Sequence, residues 1–229
     1  MSDNATPHKA AEYAAEVKRT IPFHDEMIDE AIGVSVAAVG VPRRWLDTGA
    51  GPGELVRRAS HALPGTEFWV ADPAEAMLAA AREALPSLDA ARFLESTSAA
   101  LPDAEPFDVI TAVQCHHYGD AAERFASVRR CRELLDDAGV LVVFENVRAE
   151  TDAGHALQRK RWGAWQASHG RDAGVVAKHL AREGTAFFPI RVSDHLEVLR
   201  AAGFVGAEVV FRAYAQAGFV AWKAGFKGR

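Results

Sequence analysis

The chain predicts an α/β architecture built on a mostly parallel sheet. Three observations carry that expectation. From "RRWLDTGAG" to "VLVVFENV" the chain alternates short apolar runs with helix-periodic stretches, and such alternation folds as right-handed βαβ units. "FDVITAV" is β-branched on both faces, as a strand covered by helices on both sides requires. The runs also stop abruptly, "RRWLDTGAG" in glycines and "TEFWVADP" at Pro73.

Each element can be justified in order. Residues 1–40 read as an N-terminal helical arm, with "TIPFHDEM" (Thr20 to Met27) in its middle. "RRWLDTGAG" is a strand, and "GELVRRASHAL" follows as a helix on the spacing of Leu55, Ala59 and Leu63. "TEFWVADP" and "ARFLES" are short strands on either side of "AEAMLAAAREAL", a helix by propensity. After "FDVITAV", "AAERFASVRRCRELLDDAG" reads as an amphipathic helix stopping at Gly139. "VLVVFENV" is the next strand. Residues 150–190 form an inserted helical cap, with Trp162, Trp165 and Gln166 on one segment and His179 on the next. "VSDHLEVLRAAGF" predicts a helix capped by Ser193 and stopped at Gly203. The end reads as two strands around a turn between Tyr214 and Gly218. Residues 1–229 are expected to form one domain.

The 229 residues are 49% hydrophobic and 25% charged, enough to build a sizeable core. A net charge of -5 offers no basic face for nucleic acid. The cluster "LQRKRW" (Leu157 to Trp162) reads as a solvated helix face. Two cysteines, Cys115 and Cys131, supply neither a disulfide framework nor a four-ligand zinc site. The N-terminal stretch has no apolar signal core, and no apolar run reaches the roughly 18 residues of a membrane helix. A soluble, reduced, cytoplasmic protein is expected, with a small-molecule substrate and neither nucleic acid nor membrane as partner. Its oligomeric state is open.

Parallel sheets bind ligands at the carboxyl ends of their strands. That directs attention to Asp47–Gly53, Asp72, Glu95–Ser98, Gln114–Tyr118 and Glu145–Arg148. "LDTGAGPGEL" sets Gly49, Ala50, Gly51 and Gly53 between a strand and a helix. Glycine permits a tight turn and close backbone approach to a ligand, and the helix amides can meet a polar group. The spacing is GxGxG rather than the GxGxxG of dinucleotide sites. Asp72 ends the next strand nineteen residues after Gly53, where an acid accepts ribose hydroxyls.

This combination resembles the class I S-adenosylmethionine (SAM)-dependent methyltransferases, over about residues 40–147 and again at the C-terminal strand pair. "LDTGAGPGEL" is similar to their first motif and "VADPAEAML" to their second. The resemblance implies a Rossmann-like fold whose seven-stranded, mostly parallel sheet has an antiparallel C-terminal strand. It implies SAM as cofactor, leaving as S-adenosylhomocysteine. Asp47, Gly49, Ala50, Gly51 and Gly53 would form the binding loop, with Asp72 on the ribose, Pro73 beside it, Met77 near the adenine, and Gln114 at the fourth strand's end. In one respect the chain departs from the family. Members often carry an acid after the third strand, whereas "FLESTSAALP" places Thr97 or Ser98 there.

Methyl transfer from a sulfonium asks mainly for proximity and orientation. A base is needed only if the nucleophile arrives protonated. The candidate bases are His116, His117 and His24, and each also reads as a packing histidine. Tyr118, Glu145, Asn146, Trp162, Trp165, His179, Tyr214 and Gln216 are candidates to contact the substrate. Helix packing explains the two tryptophans equally well, and capping or a link to Arg148 explains Glu145 and Asn146. "CHH" is not expected to bind metal, because adjacent residues project in different directions. Cys115 reads as a small buried hydrophobe.

"QCHHY", "FENVR", "FFPI" and "YAQAGFVAWK" are similar to a narrower group of small bacterial methyltransferases, some associated with radical-SAM partner enzymes. A subset from duocarmycin-type antibiotic pathways closes a cyclopropane. The resemblance therefore implies either methyl transfer in secondary metabolism or deprotonation with intramolecular displacement of a SAM-derived sulfonium. A noncatalytic SAM-binding partner protein is a third reading. The polar, titratable rim speaks against it.

Overall fold

The structure, a computed structural model, describes residues 10–227. The arm is a pair of helices, α1 (Ala10–Thr20) and α2 (His24–Val39); its first nine positions lie outside the described residues. The alternating region runs β1 (Arg44–Thr48), α3 (Glu54–Ala62), β2 (Glu67–Asp72), α4 (Glu75–Ala84), β3 (Phe93–Glu95), β4 (Phe107–Val113), α5 (Ala121–Leu134) and β5 (Leu135–Arg148). The cap is α6 (Asp152–Ser168) and α7 (Ala173–Ala181). The chain ends with β6 (Ile190–Arg191), α8 (Val192–Ala201), β7 (Gly206–Ala213) and β8 (Gln216–Trp222).

The sheet order is β3-β2-β1-β4-β5-β8-β7, with the two-residue β6 paired to the far end of β5. Only β8 runs antiparallel to its neighbours, as expected. Strand order reverses between β1 and β4, which makes their carboxyl ends the natural ligand site.

Alternation along the buried strands feeds two cores. Trp45, Val140, Val142 and Phe144 pack with α2, α3 and α4 on one face. Leu46, Leu141, Val143 and Phe219 pack with α5 and α8 on the other. Period-2 geometry sends successive side chains to opposite faces, so a continuously apolar strand such as "VLVVF" serves both.

Three local readings need correction. Gly139 does not stop α5, which ends at Leu134 and passes directly into β5. Asp136 Oδ1 accepts the Ala138 amide at 3.0 Å, a local turn that competes with helix. Gly139 instead fits an irregular strand pairing, where a Cβ would lie 2.9 Å from the carbonyl oxygens of both Phe107 and Asp108. The second correction concerns α8, whose N-cap position is Arg191 rather than Ser193. Asp194 accepts the Arg191 amide at 3.2 Å, while the Ser193 hydroxyl donates to Glu150 at 2.9 Å. Finally, the arm breaks in the middle of "TIPFHDEM", where Phe23 adopts φ 58° just before α2.

Gly218 lies opposite Phe144 in the β5–β8 pairing, and a Cβ there would come within 2.5 Å of the Phe144 ring. Gly218→Ala is expected to cost about 1–3 kcal/mol by overpacking. Urea unfolding would show it as a lower midpoint with unchanged slope; an unchanged midpoint would mean the ring yields freely.

Candidate active site

At the carboxyl ends of β1, β2 and β4 the chain encloses a cavity of about 270 Å³. Its floor is Gly49, Gly51, Asp72, Pro73 and Met77, and one side is Thr97, Ser98 and Ala99. The end of β4 adds Gln114, Cys115, His116, His117 and Tyr118, with Asn146 from β5 behind them. Tyr13, Val17, Thr20 and Ile21 of α1 close it from the arm, and His179, Arg182 and Phe187 from the cap.

The glycine turn is shaped by its neighbours. Gly49 has φ +64°, and a Cβ there would lie 2.3 Å from the Cβ of Cys115, so the end of β4 can rest on the turn only if residue 49 is glycine. The Gly51 amide donates to Asp72 Oδ2 at 2.9 Å, and the Ala74 amide donates to Oδ1 at 2.9 Å. Asp72 thereby ties the two binding loops together, and burial pushes its pKa up. Ala50 is held by its amide to the Ala71 carbonyl at 3.0 Å, and Gly53 caps α3 against Ala81 and Leu85. Asp47 lies beneath the turn, only 2% exposed. Thr111 donates to its Oδ1 at 2.7 Å, and the Trp45 indole donates to Thr111 at 3.0 Å. Burial, helped by the like charge of Asp72 and opposed by the Thr111 hydrogen bond, pushes Asp47 up to about 7. Asp47, Ala50 and Gly53 thus support the loop without lining the cavity.

After β4, Gln114 adopts φ 57°, and its amide donates to the Phe144 carbonyl at 2.7 Å. A single 3-10 turn, His116–Tyr118, follows. This turn is clamped by Glu145 from the neighbouring strand, which is 0% exposed. Glu145 Oε1 accepts the His116 amide at 2.9 Å; Oε2 accepts the His117 amide at 2.9 Å and the His117 Nδ1–H at 2.5 Å. Burial works to raise this carboxyl. The charge and hydrogen bond of His117 outweigh it and hold Glu145 at about 2. On the other side of the ring, Asn146 Nδ2 lies 3.1 Å from His117 Nε2, and Gln216 Nε2 donates to Asn146 Oδ1 at 3.0 Å. The donors thus run in one direction, from Gln216 through Asn146 and His117 to Glu145. His117 is therefore oriented with Nδ1 as donor and Nε2 as the position that can take a proton, the arrangement of a base held by a carboxylate.

His116 faces differently. Its Nε2 lies 3.0 Å from Ser98 Oγ, which lies 2.9 Å from Thr48 Oγ1. Burial lowers its pKa. The Cys115 thiol is pushed well above its ordinary value by burial and donates to the Thr48 carbonyl at 3.4 Å, which suits packing rather than nucleophilic attack.

Several expected contacts fall elsewhere. Glu145 is too deeply buried to meet a substrate and instead shapes the histidine turn. Gln216, also 0% exposed, stands behind Asn146. His24 is buried at the start of α2, pushed down to about 4 by burial, and does not border the cavity. Trp162 is a core side chain whose indole donates to the Thr20 carbonyl at 2.8 Å. Trp165 stacks on His169 at 3.9 Å, and Tyr214 sits at the hairpin turn under Arg161. His179 does border the cavity, edge-on to Trp162 at 5.0 Å.

Among the cavity residues that escaped the sequence reading are Tyr13, Arg124, Arg182 and Phe187. Tyr13 is the one aromatic in the alanine-rich α1, and burial raises its hydroxyl pKa. Arg124 shares a helical stripe with Val128 and Cys131, so its apolar register was the available signal. It is 3% exposed and donates to the carbonyls of Phe188 and Gly119. Among the described residues no group of three or more His, Cys, Asp or Glu side chains is arranged to hold a metal ion.

The Glu145 pKa makes a prediction about acid stability. A carboxyl held below its unfolded value of 4.5 contributes stability above that pH and loses it as pH falls toward about 2. Glu145→Gln should therefore lower stability at neutral pH by about 1.5–3 kcal/mol and flatten the loss between those two pH values. Urea midpoints measured across that window would check it, and parallel curves for the two proteins would contradict it.

Residues 46–141 match the family model of a methyltransferase domain, a stretch from β1 into β5 that covers less than half of the chain. A carboxy-S-adenosyl-L-methionine synthase of Ectopseudomonas mendocina (strain ymp) is 26% identical over 198 residues, 82% of this chain and 79% of that protein. An O-methyltransferase family protein from Burkholderia thailandensis superposes with a TM-score of 0.67 at 18% identity, over 94% of this chain. This chain spans 60% of that protein's length. Magnesium protoporphyrin IX methyltransferase from Synechocystis PCC 6803, solved with bound S-adenosylhomocysteine, gives 0.61 at 19% identity, over 90% of this chain and 86% of its own. The chain thus has the Rossmann-like class I methyltransferase fold, and its cavity lies where the strands of the matched methyltransferase domain end.

Proposed function

We propose that this protein is a SAM-dependent methyltransferase acting on a small-molecule acceptor in secondary metabolism, with His117 as general base. One observation carries the reading: a single cavity brings together the glycine turn, Asp72 and the Glu145-held His117.

The lining residues fit SAM. Asp72 ends β2 with each oxygen already accepting one amide, which leaves lone pairs for ribose hydroxyls. The Gln114 side chain is 8% exposed and borders the cavity, and neither atom of its amide has a partner among the described residues. Such a buried, unpaired amide suits a ligand with both donor and acceptor groups. Thr97 and Ser98 offer hydroxyls on the remaining side. When bound, SAM supplies a methyl group already activated on sulfur. The chain's own work is then to hold the acceptor under α1 and the cap, exclude water, and take a proton at His117 Nε2. Asn146 Nδ2, which donates to Nε2 at 3.1 Å, must first withdraw so that the acceptor can reach that lone pair, and Glu145 stabilises the resulting imidazolium. An acceptor that arrives protonated, such as a hydroxyl, makes use of this apparatus.

The same base supports a second reading, a methyltransferase-like cyclopropanase. His117 would remove a proton from carbon, the carbanion would form the ring C–C bond, and the C–S bond of a sulfonium made by a radical-SAM partner would break. A noncatalytic SAM-binding partner protein is disfavoured, because a buried histidine–carboxylate pair beside the cavity has no evident use in binding alone. No helix among the described residues is long and apolar enough to cross a membrane. A cytoplasmic location accords with the two unbridged cysteines.

Calorimetry should detect SAM or S-adenosylhomocysteine binding, and Asp72→Ala should weaken it at least tenfold, about 1.4 kcal/mol. Absence of binding at millimolar cofactor would overturn the reading. His117→Ala should lower kcat by roughly 10²–10⁴-fold with cofactor affinity nearly unchanged; undiminished turnover would return His117 to a packing role. Product analysis with SAM carrying a fully deuterated methyl group separates the chemistries, since methyl transfer places an intact CD3 group on the product, whereas a cyclopropane carbon can retain at most two of those deuterons.

A further inference from the structure

A second, small void lies behind the histidine turn, between β5, β8, α5 and α8. It is bordered by His116, Arg124, Glu145 and His195, and its apolar side includes Val143, Leu199 and Phe219. About 10 Å³ of it admits the centre of a water-sized sphere, room for about one water molecule. Three nitrogens on these side chains have no hydrogen-bond partner among the described residues: His116 Nδ1, Arg124 Nε and His195 Nε2. Their residues are 5%, 3% and 5% exposed. One buried unpaired polar atom costs about 1–3 kcal/mol, so three around one void mark a polar site rather than a dry packing defect.

We propose that this void is the binding site of one ordered water that joins His116, Arg124 and His195. The bonding capacities match. Arg124 Nε–H can only donate, and the water oxygen accepts it. The two water hydrogens then go to lone pairs on His116 Nδ1 and His195 Nε2, the arrangement of about three bonds that buried waters adopt. Burial lowers the pKa of both histidines, His195 to about 4, so both keep those lone pairs at neutral pH.

One consequence follows for the main cavity. A His116 that accepts at Nδ1 carries its proton on Nε2 and donates it to Ser98, 3.0 Å away. His116 then presents a donor toward the cavity, and its only lone pair faces the water. That excludes it as the proton acceptor and leaves the task to His117. The water also links α8, through His195, to the turn after β4. The site does not depend on the proposed reaction.

The unmodified full chain tests the proposal. A crystal structure that orders waters should show one density peak about 2.7–3.2 Å from all three nitrogens. ¹⁵N spectra of histidine-labelled protein should show His116 neutral, protonated at Nε2, with Nδ1 accepting a hydrogen bond. A void without density, an anion revealed by bromide soaking, or His116 protonated at Nδ1 would each overturn it.

Discussion

The constraint on which the site depends is the burial of one carboxylate. Pairing of Val113 with Phe144 puts Glu145 level with the turn that follows β4. There the carboxylate is fully enclosed and accepts two backbone amides and one imidazole. Burying an ion costs several kcal/mol, while charged hydrogen bonds return about 1.5–3 kcal/mol each. The two sums are comparable, so the arrangement adds little net stability. What it contributes is geometry: any other path for residues 115–118 would leave the charge under-paired. The direction of the His117 ring follows from that restriction.

The two cores of the sheet divide the labour around this point. The face packed by α2, α3 and α4 contains the large aromatics Trp45, Phe68 and Phe144. The face packed by α5 and α8 is equally apolar near the strand centres, but toward the carboxyl ends it becomes polar, with Arg124, His195 and His116 gathered around Glu145. Rigid packing at one end of the strands thus holds up a charged network at the other.

Much of the fold was legible because it rests on local rules. Strand and helix periods, the glycine turn and the acid at Asp72 each follow from short-range chemistry, and the structure places them accordingly. Gly139 was misread because a helix stop and a close strand approach both require glycine, and only the β4–β5 register separates them. Glu145 looked like a substrate ligand because it ends a strand. Its true neighbours, His116 and His117, lie 29 and 28 residues away in the chain. Tyr13 was missed for a related reason: its burial is decided by the arm closing over the sheet, which leaves no mark in the local sequence, whereas Arg124 did leave one in its apolar register on α5.

The contact between arm and cap depends largely on main-chain oxygens. Trp162 donates to the carbonyl of Thr20, and Arg19 donates to those of His169 and Gly170; the Arg171–Glu16 pair is looser, at 3.8 Å. A carbonyl is present whatever the side chain. Positions 20 and 169 are therefore not tied to one side chain by the clasp, whereas position 170 is held to glycine by its φ of +81° and by the Arg19 guanidinium, 3.2 Å from where a Cβ would lie. The side chains on the inner surface of α1 can then vary independently of the closure that presents them. A lineage could thus reshape the wall facing the acceptor by successive substitutions while the donor floor and the lid stay in register.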